Sequence, residues 1–111
     1  MTVKEIMTAM NLTLFCGEHN LNQEVAGGYV SDLLSDVMGS ASADYAWITL
    51  QTHINVVAVA TLKDLACIIL VKGQQPDPDM LSVAQQKEVI LLGTAEEAFE
   101  TAGKLYQLLQ K

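Results

Sequence analysis

The chain contains no arginine. Its six basic residues are all lysines, they face thirteen acidic residues, and the net charge is −7. Arginine is the side chain that grips phosphate with two parallel hydrogen bonds, so the sequence excludes that kind of clamp. An acidic chain also repels the phosphate backbone, and nucleic acid is therefore not an expected partner. Any phosphate bound here must be held by backbone N–H groups, lysine, histidine or hydroxyls.

Cysteine is scarce as well, with Cys16 and Cys67 alone in 111 residues. Two thiols without a basic, apolar leader in residues 1–15 predict a reducing, cytoplasmic environment. Cys67 lies in an apolar run typical of a buried, inert thiol, whereas a reactive Cys16 is left open. No apolar stretch approaches the roughly 20 residues that cross a membrane, so no membrane association is expected.

Catalytic motifs are missing too. The sequence has no GxxxxGK[ST] phosphate loop, no GxSxG elbow, no HExxH and no CxxC. The two histidines, His19 and His53, lie in different segments, so neither a metal site nor another cofactor is predicted. A nucleophilic pair between Cys16 and His53 is formally possible, but nothing in the sequence orients the base. The sequence therefore predicts a protein that is not an enzyme.

Half of the residues are hydrophobic, and they alternate between buried extended runs and helical stripes. Residues 52–62 fit either a strand or a helix, and we interpret them as a helix because a clear strand follows. The predicted strands are residues 12–15, 24–30, 45–50, 67–71 and 89–92. The alternation predicts a single domain over residues 1–111, a three-layer α/β/α fold with a mainly parallel sheet of four to five strands.

Helix starts are predicted from capping residues. The expected N-caps are Thr2, Ser31 or Asp32, Thr52, Asp77 followed by Pro78, and Thr94 in a capping box. Gly39 is expected to end the second helix, and the first is expected to end near Asn11. The last helix is expected to bury one apolar stripe, made of Ala95, Ala98, Phe99, Ala102, Leu105, Tyr106 and Leu109.

Polar loops follow the carboxyl ends of the predicted strands, where open parallel sheets bind ligands. Asp77 and Thr94 in these loops are interpreted as helix caps only, and Asp32 and Asp36 as a solvated helix face. For Thr52 and His53 the capping and binding interpretations are evenly balanced, because a positive charge is disfavoured at a helix start. The candidate ligand-binding residues are Tyr29, Ser31, Thr52, His53, Asn55, Lys72 and Gly73.

Residues 45–104 resemble the DRTGG domain. The similar features are an apolar strand, a polar turn, a helix, an apolar strand with Gly73, and Pro76-Asp77-Pro78-Asp79 before a helix, closed by the helical residues 98–102. Thr52-His53 stands where that family has Asp-Arg, and Val71-Lys72-Gly73 where it has Thr-Gly-Gly. The family includes the non-catalytic domain of HPr kinase/phosphorylase, and the resemblance implies a self-associating regulatory domain.

The resemblance extends to a stand-alone branch of that family, often labelled serine kinases of HPr, whose genes commonly lie beside those of hydrogenase or NADH-linked redox subunits. The kinase label should not transfer, since the kinase's phosphate loop belongs to another domain. The main hypothesis is a non-catalytic, homodimeric regulatory or ligand-sensing module that binds an adenine nucleotide and is associated with such redox systems. The alternative is a pure protein-interaction or assembly subunit without a small ligand.

Overall fold

The computed structural model describes residues 1–110; Lys111, the last residue of the predicted domain, lies outside them. The helices are α1 (Val3–Ala9), α2 (Leu34–Ser40), α3 (Ile54–Leu62), α4 (Pro78–Gln86) and α5 (Ala98–Leu109). The strands are β1 (Thr13–Cys16), β2 (Gly27–Val30), β3 (Tyr45–Thr49), β4 (Cys67–Leu70) and β5 (Leu91–Gly93). A 3₁₀ turn, Glu18–Asn20, follows β1.

The strands form one sheet in the order β1-β5-β4-β3-β2. Neighbouring strands from β2 to β5 are parallel, and β1 is antiparallel to β5. Each step from β2 to β5 passes through one helix and moves one position across the sheet, as expected for βαβ units. The predicted fold class, a mainly parallel α/β sheet, is confirmed.

Helices cover both faces of the sheet. Val37 of α2, Val56 of α3 and Met80 of α4 pack against Trp47, Ile68 and Leu70. On the other face, α1 and α5 pack against a second set of strand residues, Ala46, Ile48, Cys67, Ile69 and Leu92. Every residue of β4 and β5 is buried, which explains their continuous apolar sequence.

The predicted helix starts are partly corrected. The Thr2 capping box is present: Glu5 N–H donates to Thr2 Oγ1 at 3.2 Å, and Thr2 N–H donates to Glu5 Oε1 at 2.9 Å. Those hydrogen bonds from the Thr2 backbone and side chain lower the pKa of Glu5 below its ordinary value. The Thr94 capping box is wrong, because α5 begins at Ala98 and the Thr94 hydroxyl accepts the Glu96 N–H instead.

The second and third helices also begin later than predicted. Leu33, not Ser31 or Asp32, is the N-cap of α2, and Gly39 lies inside that helix rather than ending it. His53, not Thr52, is the N-cap of α3, with no side-chain capping bond. The polar side chains before both helices bond to neighbouring loops, so capping preference alone placed the starts too early.

The apolar stripe predicted for α5 is wider than its buried face. Leu105 is buried and Ala98 and Ala102 are partly buried against the sheet. Phe99 and Tyr106, however, are 85% and 66% exposed. Residues 99 and 106 lie two turns apart on the outer side of the helix, so α5 carries an additional apolar stripe that the domain itself does not cover.

The turn after α4 places a non-glycine residue, Glu88, in the left-handed backbone region, and a substitution there tests this turn. Glu88 follows α4 with φ of 58°, and its exposed side chain makes no hydrogen bond or ion pair within residues 1–110. Glycine adopts this conformation without strain, and removing an acid from a helix C-terminus is also favourable. We expect Glu88→Gly to raise the free energy of unfolding by about 0.5–1 kcal/mol, measured by urea denaturation.

The matched control is Lys87→Gly. Lys87 has φ of −87°, an ordinary helical value, so glycine there should only destabilise the fold. A Glu88→Gly variant no more stable than wild type would contradict the left-handed turn.

Candidate functional site

The loops after β2, β3, β4 and β5 lie at one edge of the sheet, because these strands are parallel. We call residues 31–33, 50–53, 71–77 and 94–97 the carboxyl rim. The helices α2, α3, α4 and α5 begin at this rim, so the positive ends of four helix dipoles point toward it. The polar loop residues named from the sequence are gathered here by the topology.

The chain leaves two adjacent strands of the rim in opposite directions. After β4 it forms α4 on one face, and after β5 it forms α5 on the other face. Such divergence creates the crevice in which open α/β sheets bind ligands. Here two backbone hydrogen bonds join the loop after β4 to the loop after β5. Lys72 N–H donates to Glu96 O at 2.8 Å, and Gly73 N–H donates to Thr94 O at 2.9 Å.

A left-handed turn presents Lys72 and Gly73 to that partner loop. Their φ angles are 58° and 69°, and Gln74 N–H closes the turn on Val71 O at 3.2 Å. The Lys72 side chain is exposed and makes no ion pair within residues 1–110. It is therefore a positive charge available to a ligand at the rim.

Asp32 joins the loops after β2 and β3. Its Oδ1 accepts the Thr49 hydroxyl at 2.8 Å and the Leu50 N–H at 2.7 Å, while its carbonyl accepts Gln51 Nε2 at 3.0 Å. Asp32 lies before α2 rather than on it, so the predicted solvated face shared with Asp36 is wrong. The carboxylate instead fixes the end of β3.

Asp77 joins the loops after β3 and β4. Its carboxylate accepts the Thr52 hydroxyl at 3.1 Å and lies 3.1 Å from His53 Nδ1, and its N–H donates to Thr52 O at 3.1 Å. Asp77 does occupy the N-cap position of α4, with Pro78 next, but it makes no side-chain capping bond. The interpretation of Asp77 as a cap only is therefore wrong, because the carboxylate binds a neighbouring loop.

The seven candidate residues fall into three groups. Thr52, His53 and Asn55 lie at the start of α3, with Asn55 exposed in its first turn. Lys72 and Gly73 lie in the next loop, which Asp77 joins to the first. The third group follows β2. The Ser31 hydroxyl accepts Leu33 N–H at 3.1 Å, while the Tyr29 hydroxyl donates to Asp36 at 2.9 Å beneath α2.

The start of α3 is the part of the rim best suited to an anion. Its first-turn N–H groups have no side-chain cap, and no acidic residue lies in that turn. By contrast, Asp79 lies in the first turn of α4 and Glu100 in that of α5. The His53 side chain is 70% exposed beside these N–H groups, with Asp77 as its charged neighbour.

Sequence reasoning missed Asp32 and Asp77 as residues that organise the rim. The available signal was the Pro76-Asp77-Pro78 sequence, because a residue before proline is extended and Asp77 has ψ of 150°. No comparable local signal marks Asp32, since its partners Thr49 and Leu50 lie at the end of another strand and just after it. Its role depends on the order of strands in the sheet.

The cysteines do not contribute to this rim. Cys16 pairs with Leu91 at the start of β5, at the opposite edge of the sheet from His53, so the Cys16–His53 pair is wrong. Burial raises the pKa of Cys16, and it raises the pKa of the fully buried Cys67 to about 12. Both thiols are therefore protonated at neutral pH and poorly nucleophilic.

Metal-binding clusters and membrane-spanning helices are absent from the described residues. Within residues 1–110, His, Cys, Asp and Glu form no group of three or more able to hold a metal ion. None of the helices there has the length and apolar character needed to span a membrane.

A mainly parallel sheet with polar loops and four helix starts at one edge defines a small α/β module. Residues 5–108 match the DRTGG domain, and the chain belongs to the DRTGG domain family. No curated protein matches it.

A solved structure shares the fold. It contains the CBS and DRTGG domains of the regulatory region of Clostridium perfringens pyrophosphatase, complexed with the activator diadenosine tetraphosphate. The TM-score is 0.73 at 12% sequence identity. The likeness covers 96% of this chain and 46% of that one, so this chain spans less than half of the pyrophosphatase region.

The hydrogen bonds of Asp77 can be tested by a double-mutant cycle with Asp77→Ala and Thr52→Val. Each change removes one partner of a partly buried hydrogen bond and should lower the free energy of unfolding by about 1 kcal/mol. Because both remove the same interaction, we expect a coupling energy of about 0.5–1 kcal/mol.

The control cycle pairs Thr52→Val with Asp79→Ala. In the part of the chain that the structure describes, the Asp79 carboxylate accepts the Met80 N–H and bonds neither Thr52 nor His53. The effects of these two substitutions on the free energy of unfolding should be additive. Additivity in the Asp77 cycle as well would show that the carboxylate does not hold the loop after β3.

Proposed function

We propose that this chain is a non-catalytic regulatory module that binds an adenine nucleotide at the carboxyl rim. The observation that carries the proposal is the start of α3, where N–H groups without a side-chain cap, the Thr52 hydroxyl and the exposed His53 come together. DRTGG domains are regulatory modules, and the pyrophosphatase region with the same fold is complexed with a dinucleotide. Both facts support a sensing role.

The phosphate groups of the nucleotide would sit on the first-turn N–H groups of α3. Helix N-termini bind anions through such donors and through the dipole, which is how a chain without arginine can hold phosphate. Asn55 adds an amide, and Lys72 and Gly73 add a positive charge and a flexible backbone from the next loop. Ser31 lies beside the neighbouring strand end, while Tyr29 acts through its bond to Asp36.

Phosphate and the Asp77 carboxylate would compete for the same donors. Both are acceptors for the Thr52 hydroxyl and His53, and two anions cannot share them without repulsion. Nucleotide binding would therefore displace Asp77 and release the loop 71–77 from the start of α3. This displacement is the conformational signal that the module would transmit.

The test is calorimetry and thermal unfolding with adenosine, AMP, ATP and diadenosine tetraphosphate. A ligand at about 100 times its Kd should stabilise the fold by about 2.7 kcal/mol, on the order of 10 °C in Tm for a domain of this size. His53→Ala should weaken phosphate-bearing ligands roughly tenfold, the loss of one charge-assisted hydrogen bond. Adenosine, without phosphate, should bind more weakly and be insensitive to the change.

The matched control is His19→Ala, because His19 is the other histidine and lies exposed in the turn after β1, away from the rim. It should leave binding unchanged. Absence of binding by every nucleotide, or equal loss in both histidine variants, would contradict the proposed site.

The same module is proposed to act without chemistry of its own and as a homodimer. The kinase label carried by similar stand-alone domains is not adopted, because the sequence has no phosphate loop. A cytoplasmic location stays a prediction from the two reduced thiols. Self-association is implied by the resemblance and is supported by the exposed aromatic side chains of α5.

A second candidate function is a protein-interaction subunit of a hydrogenase or NADH-linked redox complex. The exposed apolar side chains on the outer side of α5 favour a protein partner, because such contiguous apolar surface is often a protein-interaction site. We expect tagged chain purified from its native cells to recover hydrogenase or NADH-oxidising subunits, and His53→Ala bait to recover them equally. Recovery without nucleotide binding would favour this candidate, and recovery of none of these subunits would contradict the redox association.

A further inference from the structure

An apolar groove lies between α5 and the edge strand β2. Its volume is about 550 Å³, and none of the twelve residues that line it is charged. The exposed side chains of Val30, Phe99 and Tyr106 line this groove, together with the glycines Gly27, Gly28 and Gly103. We call these six residues the α5–β2 face.

The outer side of α5 makes this face unusual for a monomer. Phe99 and Tyr106 are 85% and 66% exposed, and Val30 across the groove is 51% exposed. The inner side of the same helix is already covered through Leu105, which packs so closely on β2 that a Cβ at Gly28 would come within 2.9 Å of it. The outer stripe is therefore additional apolar surface, beyond what holds α5 to the sheet.

The strand beside this helix is also unpartnered on one side. Among residues 1–110, β2 pairs with β3 alone, so its other edge presents free backbone N–H and C=O groups. Exposed edges are usually protected by charges or proline, yet the edge residues Gly27–Val30 have neither. A protein that covers the α5–β2 face can pair with this edge at the same time.

Charge and symmetry are compatible with a second copy of the chain as the partner at this face. The chain carries a net charge of −7, so a second copy is repelled by most of its surface, and only an uncharged face lets two copies meet. Antiparallel pairing of two β2 strands about a two-fold axis uses the same residues on both copies, which is the self-complementarity a closed dimer requires. It also brings the two outer stripes of α5 together.

The available surface agrees with this partner. Covering Phe99 and Tyr106 would bury about 300 Å² per protomer, against about 800 Å² per partner in a standard interface. The two aromatic side chains would thus form the interface core, with the groove walls and the β2 edge supplying the remainder. A small ligand in the groove would leave the edge strand unpaired.

We propose that the α5–β2 face binds a second copy of the same chain through β2–β2 pairing and contact between the two α5 helices. This inference rests on the homodimer of the proposed function and assigns its surface. The resulting sheet would have ten strands. Because like-charged chains associate, added salt should strengthen the dimer.

The first test measures molar mass by light scattering and sedimentation over a wide concentration range. Wild-type chain should be dimeric, whereas Phe99→Glu and Phe99→Glu/Tyr106→Glu should be monomeric with unchanged circular dichroism, since both side chains are exposed in the monomer. Leu62→Glu is the matched control, because Leu62 is 70% exposed on α3 across the sheet. It should remain dimeric.

The second test is cross-linking with a short bismaleimide. Gly103 lies between residues 99 and 106 on the outer side of α5, and a Cβ there meets nothing within 4 Å. Gly103→Cys should give covalent dimers, while Gly39→Cys, at an equally open position on α2, should not. The two native thiols are buried and should not react.

The outcomes separate the two proposals. A wild-type chain that is monomeric up to the millimolar range overturns both the homodimer and its surface. A dimer that survives Phe99→Glu, or that Leu62→Glu disrupts equally, overturns the surface alone. Dimerisation lost in Phe99→Glu with no cross-link at Gly103→Cys overturns the two-fold contact between α5 helices.

Discussion

Burial of the central strands on both faces is the constraint on which the rest of the structure depends. All residues of β4 and β5, and all of β3 except the half-buried Tyr45, are buried. Their backbone groups can then be satisfied only by neighbouring strands, and parallel neighbours require helical crossovers. The crossovers in turn place every strand-to-helix loop at one edge, so the carboxyl rim is a consequence of burial rather than of any single polar residue.

Carboxylates, rather than helix caps, hold this rim together. Asp32 links the end of β2 to that of β3, and Asp77 links the loop after β3 to the loop after β4. Each carboxylate accepts two donors from a loop distant in sequence, so it orders backbone that would otherwise be free to move. The cost is negative charge beside the N-termini that would receive a phosphate, and only the first turn of α3 is left without an acid of its own.

The sequence predicted the periodic part of the molecule and failed where a side chain has two possible partners. Apolar runs located the central strands, and the ambiguous segment 52–62 is a helix because a parallel strand must be reached by a crossover. Thr94 has a capping signature but bonds Glu96 outside the helix, and Asp77 bonds the neighbouring loop. Those choices depend on the strand order, which no local pattern contains. The antiparallel position of β1, which removes Cys16 from the rim, is likewise a property of the whole sheet.

Phe99 and Tyr106 show that the apolar stripe of a helix can be wider than the surface that the domain itself buries. Helical spacing places them beside Leu105, yet a helix packed on one sheet covers a limited arc, and both residues lie beyond it. In a chain with a net charge of −7, an uncharged face next to an unpaired strand is the place where association is least opposed by electrostatic repulsion. Val30 ends β2 at this face, and Asp32 follows two residues later on the rim. The uncharged face and the carboxyl rim are thus adjacent along the chain, because one short segment leads from Val30 to Asp32.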